Sequence, residues 1–183
     1  MIHVKKIYLI LLALVTASVM ASCAFASGNI EKVRALQDAR ETIVFVEGTK
    51  MGDLVLGSRG KMIFTYVDEA FSRAIVEDRS FLQEWVYDMG QYYGSDATRK
   101  KALFMVFVEI NKPWDIDISK ISVGNYKLTK DDILSSSMTN PFGPQESKTT
   151  GYFAFVVPQS ELKPGKEVKI GYGDDTELWK VPK

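Results

Sequence analysis

ALFMVFV, residues Ala102 to Val108, is an unbroken apolar run of aromatic, β-branched and other large side chains. A strand with one face in water alternates apolar and polar residues, whereas a strand covered on both faces need not. The run therefore predicts a central strand buried on both sides. YFAFVV, Tyr152 to Val157, has the same character and stops at Pro158, which has no N–H to give a ladder.

Outward from these two runs the chain reads as short strands and turns. Ile116 and Ile118 share one parity and Ile121 and Val123 the other, so a period of two requires a bulge or bend near Ser119-Lys120. Gly124-Asn125 is a two-residue hairpin signal, and Pro164-Gly165 sits where a type II turn wants those residues. Val168, Ile170 and Tyr172 alternate with polar residues as in a half-solvated strand, and beyond Gly173-Asp174-Asp175-Thr176 the residues Trp179 and Val181 share a face. Asp131 to Thr150, with Asn140-Pro141 and Gly143-Pro144, reads as an exposed polar connection. Short strands with turn chemistry and no interleaved helices describe a two-sheet antiparallel sandwich over residues 100–183.

Upstream, Thr42 to Glu47 is a strand candidate, and Asp53–Leu56 and Lys61–Val67 flank Gly57-Ser58-Arg59-Gly60 like the arms of a hairpin. Those glycines lack the Gly-Lys-Ser/Thr of a phosphate loop. Ser80 to Tyr93 predicts a helix with Phe81, Leu82, Trp85, Val86, Met89, Tyr92 and Tyr93 along one stripe, Asp78 or Ser80 as N-cap and Gly94 as the stop. Its spacing is that of a helix lying on a sheet; an aromatic platform for sugar or peptide is the functional alternative. Residues 27–41 read as a tether or short helix. The expected organisation is thus a single mainly β domain over 42–183, with a hairpin plus helix in 42–99 and the sandwich in 100–183.

ALFMVFVEINKP (Ala102 to Pro113), NYKL (Asn125 to Leu128), GYFAFVVP (Gly151 to Pro158) and VKIGYGD (Val168 to Asp174) together resemble the immunoglobulin-like, telokin-like modules of bacterial exported lipoproteins. That resemblance implies an immunoglobulin-like β-sandwich, an envelope location and a non-catalytic, interaction-type role. It carries over no functional residue.

The N-terminus points the same way. Lys5 and Lys6 precede an apolar stretch, Ile7 to Met20, and small residues follow from Ala21, which together describe a signal peptide over residues 1–26. Ala24-Phe25-Ala26 before Ser27 fits a small-residue cleavage site. Met20-Ala21-Ser22-Cys23 resembles the bacterial lipobox, with Met20 where that pattern prefers Leu, and implies lipidation of Cys23 with a signal over residues 1–22. The product is expected to be exported to the periplasm or cell surface, touching membrane only through the signal peptide or a lipid anchor.

His3 is the only histidine and Cys23 the only cysteine. Both fall in or beside the signal, so the processed chain has no imidazole, and triad catalysis and the usual zinc, copper or haem ligation lose their groups. Lysine plus arginine and aspartate plus glutamate each number 23. A surface so nearly balanced argues against a nucleic-acid partner. The acidic clusters Asp115/Asp117, Asp131/Asp132 and Asp174/Asp175/Glu177 read as turn residues; calcium at the last finds too few ligands on one turn. The sequence therefore nominates no catalytic residue, no metal and no cofactor. It describes a binding module for an envelope protein or surface polymer, working through loops and sheet edges, with Trp114, Asn140, Phe142 and Gln145 as contacts. A carboxylate-dependent hydrolase of envelope polysaccharide is the alternative, and it requires two acids facing across a cleft.

Intact mass of the membrane-extracted protein decides between the two processing sites. Lipidation predicts a diacylglyceryl adduct on Cys23, and an unmodified chain beginning at Ser27 sinks it.

Overall fold

The computed structural model describes residues 31–77, 82–136 and 140–183. His3, Cys23, the capping candidates Asp78 and Ser80, and Phe81 lie outside the described residues.

The ALFMVFV run is the middle of β5 (Lys101–Ile110). It is hydrogen-bonded on one side to β4 (Gly60–Val67) and on the other to β10 (Thr149–Pro158), and β1 (Glu41–Val46) pairs with the far side of β4. All three pairings are antiparallel, so the first sheet runs β1-β4-β5-β10. A second antiparallel sheet runs β12 (Asp175–Lys180), β11 (Glu167–Tyr172), β7 (Ile121–Val123), β8 (Tyr126–Lys127). Two small ribbons complete the β structure: β2 (Thr49–Met51) with β3 (Leu54–Leu56), and β6 (Trp114–Ile116) with β9 (Gly143–Gln145). The helices are α1 over residues 31–38, α2 (Glu69–Glu77) and α3 (Glu84–Gly90).

β5 is buried twice over because different layers cover its two faces. Phe104, Val106, Val108 and Ile110 share a core cluster with Ile121, Val123, Val168, Ile170 and Trp179 of the second sheet. Leu103 and Met105 point the other way, into a separate cluster with Phe71 and Ile75 of α2 and Val86 and Met89 of α3. β10 divides likewise, with Phe153, Phe155 and Val157 toward the second sheet and Ala154 and Val156 toward the helices. The order of layers is helices, first sheet, second sheet. Phe104 stacks on Phe155 at 5.3 Å between ring centroids and meets Trp179 edge-on at 5.8 Å, which makes this trio the centre of the larger core.

Local turn chemistry is realised where the sequence placed it. A 3-10 turn at Ile118–Lys120, with Asp117 accepting from Ser119 N, makes the bend between β6 and β7. Gly124 has φ 62° in the β7–β8 hairpin, and Gly165 has φ 75° in the turn closed by Lys166 N donating to Lys163 O.

The structure corrects several expectations. The division into hairpin plus helix (42–99) and sandwich (100–183) does not match the sheets, because β1 and β4 are half of the first sheet. The arms around Gly57-Ser58-Arg59-Gly60 do not pair with each other: β3 turns back on β2 through Gly52-Asp53, and β4 pairs with β1, with Arg59 N donating to Val46 O. That register buries Val44, Val46, Met62 and Phe64 in the core, a gain the shorter hairpin cannot offer. The stripe over 80–93 yields α3 only from Glu84 to Gly90, after which Tyr93 N bonds to Gly90 O as the last turn tightens. The Asp131–Thr150 connection is partly ordered too: Ile133 bridges Phe155, Leu134 N donates to Ala154 O at 2.8 Å, and Ala154 N donates to Ser135 Oγ at 3.1 Å. This segment occupies the outer edge of β10, and β1 lies against β12, with Glu47 N donating to Asp175 Oδ2. Strand addition, the mechanism expected from sequence, meets residues 133–135 at the middle of the β10 edge, whereas β1 and β12 each have one ladder partner, β4 and β11.

Phe104→Ala should lower the stability to chemical denaturation by about 3–5 kcal/mol, the usual cost of an aromatic cavity in a packed core. A loss under about 1 kcal/mol would mean that Phe104 is not at the centre of the shared core.

Candidate functional site

Antiparallel register sets the helix-side face of the first sheet in rows. Val67, Leu103 and Val156 form one row, and Thr65, Met105 and Ala154 the next; α2 and α3 cover both. The third row is Ile43, Ile63, Phe107 and Tyr152, in direct register across all four strands. The helices leave it half covered: Ile43 is 43% exposed and the other three are half-buried. Trp85, in the first turn of α3, closes one end of the row. Its ring lies over Phe107 at 5.5 Å and 33° and over Tyr152 at 6.0 Å and 29°.

α1 stands opposite, and between it and α3 is a cleft of about 310 Å³. Ile63 and Phe107 rise from the sheet, Trp85, Val86 and Val33 from the helices, and the polar lining is Arg34, Gln37, Glu41 and Gln83. Gln37 Nε2 donates to Glu41 Oε1 at 2.7 Å, and Trp85 Nε1 donates to Gln83 Oε1. Glu41 is the one carboxylate lining this cleft among the described residues. One arginine, one carboxylate and two amides give a locally balanced charge.

A buried arginine sets where α1 stands. Arg40, only 8% exposed in its side chain, donates from Nε to Asp68 Oδ1 at 3.0 Å and from Nη2 to Asp68 Oδ2 at 2.7 Å, while Nη1 donates to Leu36 O at 2.8 Å. Asp68 Oδ1 also accepts from Phe71 N at 2.9 Å and so caps α2. One bidentate pair thus ties the end of α1 to the start of α2 and holds the wall of the cleft.

The residues nominated from sequence lie elsewhere. Trp114 is 5% exposed and packs edge-on against Tyr172 at 5.0 Å; Phe142 is half-buried on Phe153 at 4.8 Å. Asn140 Oδ1 accepts from Ser135 Oγ at 2.6 Å, and Gln145 pairs with Trp114 in the β6–β9 ribbon. The four do come near one another, but to plug one end of the core; Trp114 presents no open face to a partner. The acidic clusters are spread over separate turns. Asp117 accepts from Ser119 Oγ and N, which holds its carboxyl below the ordinary aspartate range. Asp132 is buried and accepts from Thr129 N, Thr129 Oγ1 and the Tyr126 hydroxyl. Asp175 receives Glu47 N, and Glu177 pairs with Lys50, so this acidic turn fastens the β2–β3 ribbon.

A second cavity of about 390 Å³ lies beyond α3, between Tyr66, Tyr93, Ser95, Arg99 and Lys101. Burial pushes both phenols above the ordinary tyrosine value. Its cations are engaged, Arg99 with Asp96 at 3.0 Å and Lys101 facing Asp132 at 3.9 Å.

The aromatic cleft escaped the sequence reading because it depends on register. Ile43, Phe45 and Ile63 occupy outward positions of β1 and β4 that a half-solvated strand would fill with polar residues, and that misplacement was the available signal. No protein-family model, curated protein or solved structure matches this chain.

The hydrogen bond to Asp132 is the main cause that raises the Tyr126 hydroxyl above its ordinary value of 10.0. The folded state therefore holds this proton more tightly than the unfolded chain does. Its contribution to stability is complete below about pH 10 and is lost as pH rises through the raised folded value. Tyr126→Phe should flatten the alkaline limb of a stability–pH curve; an unchanged limb would show that another group sets it.

Proposed function

We propose that this chain is an exported, non-enzymatic envelope protein, anchored by lipid at Cys23, that binds an envelope protein or surface polymer, and that its two packed sheets are an immunoglobulin-like module. The observation that carries the binding role is the half-covered row Ile43–Ile63–Phe107–Tyr152 with Trp85 across its end. Apolar surface left at a sheet face that two helices could have covered is surface reserved for a partner, worth about 25 cal/mol for each Å² removed from water. The contacts come from this face, in place of the loops and sheet edges that the sequence favoured. The signal-like N-terminus and the resemblance to exported lipoprotein modules support the location.

The test is co-sedimentation of the mature protein with isolated cell envelopes, with released reducing ends assayed in the same tubes. Saturable binding that Ile43→Asp weakens by about tenfold, with no release above the blank, is the expected outcome. Absence of binding overturns the binding role. Release of reducing ends that is lost in Glu41→Gln would instead make the protein the carboxylate-dependent hydrolase.

A further inference from the structure

We infer that the occupant of the cleft between α1 and α3 is a glycan, held with a pyranose ring stacked on Trp85 and its hydroxyls bonded to Arg34, Gln37, Glu41 and Gln83. This rests on the cleft being the binding site and names the chemistry of what enters it. Three features of the cleft select that class.

The first is the platform. Trp85 lies within 33° of the Phe107 plane and 29° of the Tyr152 plane, so two rings support the indole from the sheet side. A supported indole offers a flat apolar surface with little rotamer freedom left to lose on binding, and the C–H face of a pyranose ring is flat and apolar too.

The second is the rim. Gln37, Gln83, Glu41 and Arg34 all end in planar groups. Gln37 Nε2 donates to Glu41 Oε1 and Gln83 Oε1 accepts from Trp85 Nε1, so the Arg34 guanidinium, the Gln83 amide N–H, Gln37 Oε1 and Glu41 Oε2 are the donors and acceptors offered to vicinal hydroxyls. The positive charge of Arg34 is offset by the negative charge of Glu41, so the lining favours neither an anion nor a cation. A polar uncharged ligand with hydroxyls along its edge fits that balance.

The third is what a peptide would lack. Extended peptides gain much of their affinity from ladder bonds to a free strand edge. The cleft opens onto the face of the sheet above Ile63 of β4 and Phe107 of β5, inner strands whose ladder bonds are made on both sides.

Calorimetric titration of the mature protein with the hexasaccharides of chitin, cellulose and mannan tests the inference, with tryptophan emission followed in parallel. Trp114 and Trp179 are buried in the core, so a change in emission on binding reports Trp85. Saturable binding to at least one hexasaccharide is expected. Trp85→Ala should weaken it by about tenfold or more, and Trp85→Tyr, which keeps an aromatic face, by much less. Gln83→Ala, at an exposed position beside Trp85, should weaken it severalfold, and Leu178→Ser on the opposite sheet should leave it unchanged. No binding to any of the three, or equal binding by wild type, Gln83→Ala and a folded Trp85→Ala, overturns the inference. Envelopes that sediment with the protein while no hexasaccharide binds would sink the glycan assignment alone. Failure of both experiments would sink the binding role with it.

Discussion

Leu103 and Phe104 are neighbours on β5, and a pleated strand must send them to opposite sides of the sheet. Both are almost wholly buried, so the sheet needs an apolar layer on each side. The second sheet supplies one, through Ile121, Val123, Ile170 and Trp179, and α2 and α3 supply the other, through Phe71, Ile75, Val86 and Met89. Everything else in the architecture is arranged around that requirement. β1 and β4 widen the sheet until it can carry both layers, and the segment at 133–135 bonds to the middle of the β10 edge.

The two layers are unequal, and the candidate site is the difference between them. The second sheet spans the width of the first, whereas α2 and α3 together are only two short helices and cover two rows of its face. The third row stays half open with Trp85 laid across it. The gap persists because α1 is fixed clear of α3 by the Arg40–Asp68 pair, whose guanidinium also holds the Leu36 carbonyl. A buried, bidentate pair of this kind adds little net stability but is costly to break, so its effect is to fix position.

How much was legible in the sequence follows from how far each feature reaches along the chain. ALFMVFV declared its own burial, and Gly124-Asn125 and Pro164-Gly165 declared their turns, because each is decided within a few residues. The pairing of β1 with β4 was not legible, since Gly57-Ser58-Arg59-Gly60 and Met51-Gly52-Asp53-Leu54 are both plausible turns. The choice is made by Val44, Val46, Met62 and Phe64 finding the second sheet. α2 was missed because its buried residues, Phe71 and Ile75, are one turn apart and make no longer stripe. Trp114 is no open contact, because the fold brings Tyr172 against it from a strand more than fifty residues away. The third row needed the register of four strands, three of which are far apart in sequence.

The carboxylates complete this picture. Asp68 caps α2, Asp117 closes the bend before β7, Asp132 gathers Thr129 and Tyr126, and Asp175 receives the backbone where β1 ends. Each accepts a backbone N–H, a use in which a carboxylate organises chain direction. Among the described residues there is no histidine or cysteine, so these acids are a main source of proton chemistry there. Their engagement leaves the cleft with a supported indole, two amides, a guanidinium and Glu41, which itself receives Gln37 and Thr65. The apolar row beneath these groups sets how much surface any partner at this cleft must cover.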